Sequence, residues 1–329
     1  MTLAIPQTVT LSDVEAAAAR VRGTVRRTPL LELEPGLYAK AENLQLTGSF
    51  KIRGAYNFLA QLPEDLRRRG VVAHSSGNHA QGVACAAKLL GVKATVVIPE
   101  NAPPVKVART GEWGAEVVRC ANSSTARETV AQSLVETHGY TLVPPFDHPW
   151  IVAGQGTAGL EIVRELPGVA NVLVCVGGGG LLSGITVAVR ALAPDAQIIG
   201  VEPELAADAQ ASLRAGRIER WDAALTARTV ADGVRTQSLG KVPFALIRNE
   251  LAGIVTVGEG AIVEATRHYA LRAGLVVEPT GALTLAAYRL LQGGPYGGVT
   301  LRGGPTALLI SGGNVEPRFL AELLTKRDA

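Results

Sequence analysis

Short apolar runs alternate along this chain with longer helical patterns, and that alternation limits the fold more than any other feature. Val71-Val72-Ala73, Ala94-Thr95-Val96-Val97-Ile98, Val172-Leu173-Val174-Cys175-Val176, Ile198-Ile199-Gly200-Val201 and Ala307-Leu308-Leu309-Ile310 are strand-length and almost continuously hydrophobic. Such runs suit a parallel sheet covered on both faces rather than a sheet with one wet side. Amphipathic or alanine-rich stretches at 52–62, 78–90, 123–137, 156–165, 180–192, 259–273 and 281–291 read as helices. The sequence therefore predicts an α/β fold with right-handed crossovers. At 329 residues and 47% hydrophobic content, the chain is long and apolar enough for one large or two medium domains.

Composition removes several functions. Net charge is +3, and the 32 basic residues are not gathered into a patch. Arg67-Arg68-Arg69 sits beside Glu64 and Asp65 and reads as a solvated helix end, so nucleic-acid binding has no electrostatic support. Cys85, Cys120 and Cys175 show no metal-binding spacing, and their odd number argues against a disulfide framework. The apolar runs are too short to span a bilayer, and no charged start followed by an apolar core marks a signal peptide. The expectation is a soluble cytoplasmic protein without membrane or nucleic-acid partners.

In open α/β sheets, ligands bind beyond the carboxyl ends of the strands. Three strand ends here carry small, polar, glycine-rich turns: Ser75-Ser76-Gly77-Asn78-His79, Gly177-Gly178-Gly179-Gly180 and Ser311-Gly312-Gly313-Asn314. One such turn is ordinarily just a connection, whereas three suggest a site. The tetraglycine lies between a strand and a helix, where backbone N–H groups converge on an anion and the helix dipole assists. It is neither a dinucleotide fingerprint nor a P-loop. Lys51 would ordinarily be a solvated lysine at a helix start. Here Phe50 and Ile52 flank it, and a desolvated lysine has a lowered pKa and forms an imine with an aldehyde. Ser75 to His79 head a helix; they serve as caps or, by the same geometry, bind a carboxylate, and Asn78 could hydrogen-bond a phenolic oxygen. Ser311 is either a turn serine or a neutral hydroxyl able to meet a ring nitrogen without protonating it.

Taken together, Ser49-Phe50-Lys51-Ile52-Arg53-Gly54-Ala55 and the three loops resemble the motif set of the serine/threonine dehydratase and serine racemase family, pyridoxal-phosphate enzymes of fold type II. The resemblance runs from Arg27-Thr28-Pro29-Leu30 to Asn314, with the motifs in the family's order. It implies two open twisted α/β domains of the tryptophan synthase β-like type, with the cofactor in the cleft between them. The larger would be discontinuous, residues 1–65 and 148–329; the smaller, 66–147, would carry the carboxylate loop and close over substrate. It implies that Lys51 is the Schiff-base lysine and α-proton carrier, and that Phe50 packs on the pyridine ring. Asn78 would meet the cofactor's 3′-oxygen, and Gly177, Gly178, Gly179, Gly180 and Leu181 would cup its phosphate. Ser311 would face the ring nitrogen, and Glu278 would lie near the ring. Ser75, Ser76, Gly77, Asn78 and His79 would grip the substrate carboxylate, with Ser76 placed as the acid/base of the opposite face in racemases. Glu202, the Ala206 carbonyl and Asp208 match ligands of Mg²⁺ or Ca²⁺, hard cations that favour oxygen; without the resemblance they read as a solvated acidic strand end. A homodimer or homotetramer is implied as well.

The activity so implied is dehydration of a small β-hydroxy amino acid, L-threonine or L-serine, to 2-oxobutyrate or pyruvate plus ammonia. Ile52 and His79 favour this branch over cysteine and threonine synthases, while serine racemase and threo-3-hydroxyaspartate dehydratase stay open. Arg127 stands where some members carry an arginine suited to dicarboxylates, although by itself it reads as a helix-surface residue. Arg235-Thr236-Gln237-Ser238-Leu239-Gly240 departs from the family pattern and bears on substrate choice. The regulatory domain of biosynthetic threonine deaminases has no counterpart in these residues, so isoleucine feedback is not expected. A non-catalytic phosphate-binding α/β protein would explain the tetraglycine but neither Lys51 nor Ser311, and an NAD-dependent oxidoreductase lacks its fingerprint.

Overall fold

The computed structural model describes residues 8–75, 77–102 and 104–325. In chain order the strands are β1 (Leu30–Glu34), β2 (Leu37–Ala41), β3 (Val71–His74), β4 (Ala94–Pro99), β5 (Glu116–Cys120), β6 (Thr141–Leu142), β7 (Asn171–Cys175), β8 (Gln197–Pro203), β9 (Gly253–Val257) and β10 (Thr306–Ile310). The helices are α1 (Leu11–Val21), α2 (Lys51–Ala60), α3 (Glu64–Arg69), α4 (Asn78–Leu90), α5 (Pro104–Glu112), α6 (Ser124–His138) and α7 (Pro149–Glu165). They continue as α8 (Gly180–Leu192), α9 (Asp208–Ala215), α10 (Ala223–Thr226), α11 (Lys241–Ile247), α12 (Glu259–Leu271), α13 (Pro279–Gln292) and α14 (Pro317–Thr325).

The predicted apolar runs form the central strands of two sheets, an α/β architecture as expected. One sheet has six strands in the order β1-β2-β10-β7-β8-β9, the other four in the order β5-β4-β3-β6. All pairings are parallel except β1 with β2. β7, β8 and β10 are buried along nearly their whole length, which is why their sequences do not alternate.

Strand order decides where a ligand has room. In the larger sheet the chain runs outward from β7 through β8 to β9, then returns to place β10 on the other side of β7. In the smaller, β3 leads to β4 and β5, and β6 returns to the far side of β3. Each reversal opens a crevice at the carboxyl ends of its central strands. The glycine run and Ser311 follow β7 and β10 at one crevice; Ser75 and Val143 follow β3 and β6 at the other.

α2 links the two halves. Its Ile52, Ala55, Phe58 and Leu59 share a core with Val71, Val83, Val96 and Ile98 of the smaller sheet and its helix α4. Its position is fixed by a buried ionic network. The Arg53 guanidinium, fully buried, donates two bonds of 2.8 Å to Glu42 and bonds of 2.7 and 2.8 Å to Glu161 of α7. Buried Lys40 meets Glu161 at 2.7 Å and donates to the Thr28 carbonyl at 2.6 Å. Fork-to-fork pairing of this kind satisfies charges that would otherwise be costly to bury.

Candidate active site

Lys51 opens α2, and Phe50 before it donates its N–H to the Ser311 carbonyl at 3.1 Å. Ser49 also bridges to Gly312, so the lysine segment is stitched to the loop after β10. The Lys51 Nζ lies 5.1 Å from the centre of the Phe50 ring and donates to the Pro145 carbonyl at 2.9 Å. Withdrawal from water depresses its pKa to about 8, although the neighbouring Cys175 acts the other way. A half-buried lysine with a lowered pKa thus stands where the two crevices meet.

Ser311 is buried, and its hydroxyl meets no nitrogen or oxygen partner among the described residues, only the weakly bonding Cys175 thiol. A buried hydroxyl so weakly partnered at a strand end needs an explanation, and a ligand is the simplest. The thiol of Cys175, ending β7, neighbours it.

The glycine run is glycine for steric reasons visible in the packing. Gly179 has φ +87°, a left-handed conformation. A Cβ at Gly178 would fall 2.4 Å from the Phe146 ring, and one at Gly180 would fall 2.9 Å from the Phe146 Cβ. α8 starts at Gly180, so the run sits at a helix N-terminus, followed by buried Leu181.

On the facing side, Asn78 donates to Glu278 at 2.7 Å and accepts from Asn314 at 2.8 Å. Asn314 also donates to the Thr47 carbonyl at 2.8 Å and accepts from Arg109 of α5 at 3.1 Å. Lys106, one turn earlier on α5, pairs with Asp232. Glu278 is buried at the start of α13; burial, helped by Asp232, pushes its carboxyl up to about 8. His79 donates from Nε2 to the Val143 carbonyl at 2.9 Å. Burial, with Lys51 nearby, lowers its pKa to about 3, so it stays neutral. Ser75 accepts from the Gly77 N–H at 3.3 Å. Ser76 lies outside the described residues.

The cation-ligand candidates sit apart, where β8 ends. Glu202 is buried and accepts from the N–H groups of Ala209 and Gln210 at 2.9 and 2.8 Å, capping α9. Asp208 is buried with both carboxylate oxygens unpartnered, and Ala206 is buried between them in sequence. Among the described residues no three His, Cys, Asp or Glu side chains gather as a metal site; this set has two carboxylates and a backbone carbonyl.

Sequence reasoning missed the segment Val143 to Asp147, the residues Lys106 and Arg109, and the pairing made by Asn314 of the last motif. The double proline Pro144-Pro145 before Pro149 was the available signal, since it marks a stiff, non-helical lead into α7.

A two-sheet α/β fold that brings a depressed-pKa lysine, a glycine loop and an unpartnered hydroxyl to facing crevices defines a cofactor-dependent enzyme class. Similarity to known proteins narrows the class. The sequence profile described as pyridoxal-phosphate dependent enzyme matches residues 21–301. The chain is 46% identical over 319 residues to an L-threo-3-hydroxyaspartate ammonia-lyase of Pseudomonas sp, covering 95% of this chain and 97% of that one. It is 40% identical over 324 residues to a serine racemase of Schizosaccharomyces pombe, covering 96% and 98%. The crystal structure of a threonine deaminase from T.th. superposes with a TM-score of 0.85 at 48% identity, covering 93% of this chain and 99% of that one. The chain belongs to the family of pyridoxal-phosphate dependent enzymes.

The residues present fit that cofactor. Its aldehyde suits the Lys51 amine, its ring nitrogen suits the weakly partnered Ser311 hydroxyl, and its phosphate suits the side-chain-free cup at the α8 N-terminus.

Proposed function

We propose that this chain is an ammonia-lyase that dehydrates L-threonine, L-serine or both, releasing 2-oxobutyrate or pyruvate and ammonia. The single observation carrying the reading is the Lys51 amine, depressed to about 8, on a segment bonded to the Ser311 carbonyl and donating to Pro145, whose neighbour Phe146 lies against the glycine run. The relatives above, a threonine deaminase among them, support it.

Lys51 would hold the cofactor through its amine, with Phe50 beside it offering an apolar ring face. The N–H groups of Gly177 to Gly180, with Leu181 behind them, hold the phosphate, and Asn78 holds the phenolic oxygen. When bound, the cofactor supplies the electron sink for a carbanion at the substrate α-carbon. Ser311 offers the ring nitrogen a neutral hydroxyl that has no proton strong enough to transfer. Glu278 lies near the ring, largely protonated at neutral pH. Ser75, Ser76, Gly77, Asn78 and His79, at the α4 N-terminus, receive the substrate carboxylate through backbone N–H groups and the helix dipole. The Lys51 Nζ, once free, removes the α-proton; a depressed pKa supplies the neutral base near physiological pH. Residues 66–147 form the smaller domain and exclude water by closing against 1–65 and 148–329.

A divalent cation, Mg²⁺ or Ca²⁺, is held by Glu202, the Ala206 carbonyl and Asp208; the unpartnered Asp208 oxygens support this. The protein works as a homodimer or homotetramer in the cytoplasm, where three buried free cysteines stay reduced. No described helix is long and apolar enough to cross a membrane.

A second substrate, threo-3-hydroxyaspartate, is favoured by one observation. Arg127 of α6 is half-buried, with its charge acting on His74, directly before the carboxylate loop. Serine racemisation stays tied to Ser76.

The test assays ammonia and keto acid from L-threonine, L-serine and L-threo-3-hydroxyaspartate, and D-serine from L-serine, with Mg²⁺, Ca²⁺ or a chelator. Stoichiometric 2-oxobutyrate or pyruvate is expected. Oxaloacetate alone would move the reading to the dicarboxylate, and D-serine without ammonia would make it a racemase. A colourless protein that stays colourless with added pyridoxal phosphate would sink the catalytic reading.

A further inference from the structure

The loop from Val143 to His148 belongs to none of the motifs, yet it touches both halves of the site. It leaves β6 at the smaller sheet's crevice and runs beneath the glycine run of the larger one. We propose that the Pro145 carbonyl is the resting station of the Lys51 amine: it receives the amine whenever Lys51 is not bonded to carbon, and it sets the direction of the amine's lone pair. The inference rests on the assignment of Lys51 made above.

A carbonyl oxygen accepts hydrogen bonds and has no proton to give. Across the observed 2.9 Å contact, Lys51 therefore donates whether it is ammonium or amine. The neutral amine has two N–H bonds and one lone pair. With one N–H committed to Pro145, the lone pair is turned away from the loop, and the Phe50 ring, 5.1 Å from Nζ, flanks it. From that station Nζ forms an N–H bond as the substrate Cα–H bond breaks, and the electron pair stays with carbon. The ammonium so formed keeps the same acceptor, now through a stronger, charge-assisted bond. Proton uptake thus needs no rotation of the side chain away from its support.

The station holds still because both sheets pin it. The Val143 N–H donates to the Val72 carbonyl at 2.8 Å, and the Val143 carbonyl accepts from His79 at 2.9 Å. The proline rings of Pro144 and Pro145 fix two φ angles. Phe146 lies against Gly178 and Gly180, and Asp147 accepts from the Val242 N–H at 2.9 Å. Lys51 itself is crowded from behind by α4, where a Cβ on Gly82 would stand 3.1 Å from the Lys51 Cβ.

The test replaces the amide between Pro145 and Phe146 by an ester, using phenyllactate at position 146. Every side chain is kept, while the Pro145 carbonyl becomes a weaker acceptor. The N–H removed finds no acceptor among the described residues. In the cofactor-free protein, the pH dependence of Lys51 acylation, located by peptide mass spectrometry, reports its pKa. We expect the pKa to fall by about half a unit or more, because a weaker acceptor withdraws more support from ammonium than from amine. In the loaded enzyme, washout of substrate α-deuterium is expected to slow several-fold, with a smaller change in KM. Pro144→Gly with Pro145→Gly, which loosens the same carbonyl, is expected to shift the pKa in the same direction. An unchanged Lys51 pKa in both folded variants would overturn the proposal. Uptake of pyridoxal phosphate by the wild-type protein is followed separately by visible absorbance, so failure of the cofactor assignment is told apart from failure of the station.

Discussion

Glu278 is a carboxyl group placed where ionisation is unwelcome. Its folded pKa, near 8, lies above the ordinary carboxylate range, so the folded state binds its proton more tightly than the unfolded chain does. The stability it contributes is fully present below about pH 4.5 and is lost as pH rises through about 8. Glu278→Gln keeps an oxygen for the Asn78 amide and removes the titration. Urea unfolding at pH 5 and pH 8 is expected to show the variant gaining on the wild type at the higher pH, on the order of 2–4 kcal/mol. Equal gaps at both pH values would refute the raised pKa. At this scale the sequence singled out side chains that stand within motifs, such as Lys51, Asn78 and Ser311, and the fold places them at the facing crevices. Pro145 was illegible because it acts through its carbonyl, which every residue type possesses.

Among elements, α2 matters most, because its first residue is the lysine and its third is Arg53. The guanidinium ties this helix to Glu42 and to Glu161 of α7. Arg53→Met leaves the buried Glu42 carboxylate with only the Thr28 hydroxyl and the Lys40 charge to support it, and is expected to destabilise by about 3–5 kcal/mol in chemical denaturation, with Arg53→Met/Glu42→Met recovering part of the loss. A double variant no better than the single one would show that the guanidinium holds α2 by packing instead. The elements legible in the sequence were those with a continuous apolar signal, such as β7, β8 and β10. β5, with only Cys120 fully buried, and β6, two residues long, carry no such signal. β1 is a partly buried edge strand, and β2 beside it is buried but interrupts its apolar residues with Tyr38 and Lys40, so neither carries a continuous apolar signal. α1 could have been read from Thr10 and Asp13, which form a reciprocal capping box.

For the whole molecule, α2 and Phe146 join the two halves through apolar packing, while the contacts that cross at the mouth of the site are polar. Asn78 with Glu278 and Asn314, Arg109 with Asn314, and Lys106 with Asp232 connect helices α4 and α5 to loops of the larger sheet. Asn314 holds three of these groups together through Thr47, Asn78 and Arg109. Asn314→Ala is expected to weaken pyridoxal-phosphate binding about 10-fold, the equivalent of roughly 1.4 kcal/mol, in a fluorescence titration. Unchanged affinity would mean that the crossing bonds do not shape the site. None of these pairings was visible in the sequence, because partners more than 100 positions apart meet only after both sheets have formed.

The contact between Phe146 and the glycine run also restricts the order in which this sequence can change. Because a methyl group at Gly178 would occupy the space of the Phe146 ring, the aromatic residue must shrink before Gly178 can be replaced by a residue with a side chain. A smaller residue at 146, however, loosens the loop that carries the Pro145 carbonyl. Change at Gly178 is therefore gated by a position on the opposite sheet's loop, and lineages that alter one are expected to carry a matching change in the other.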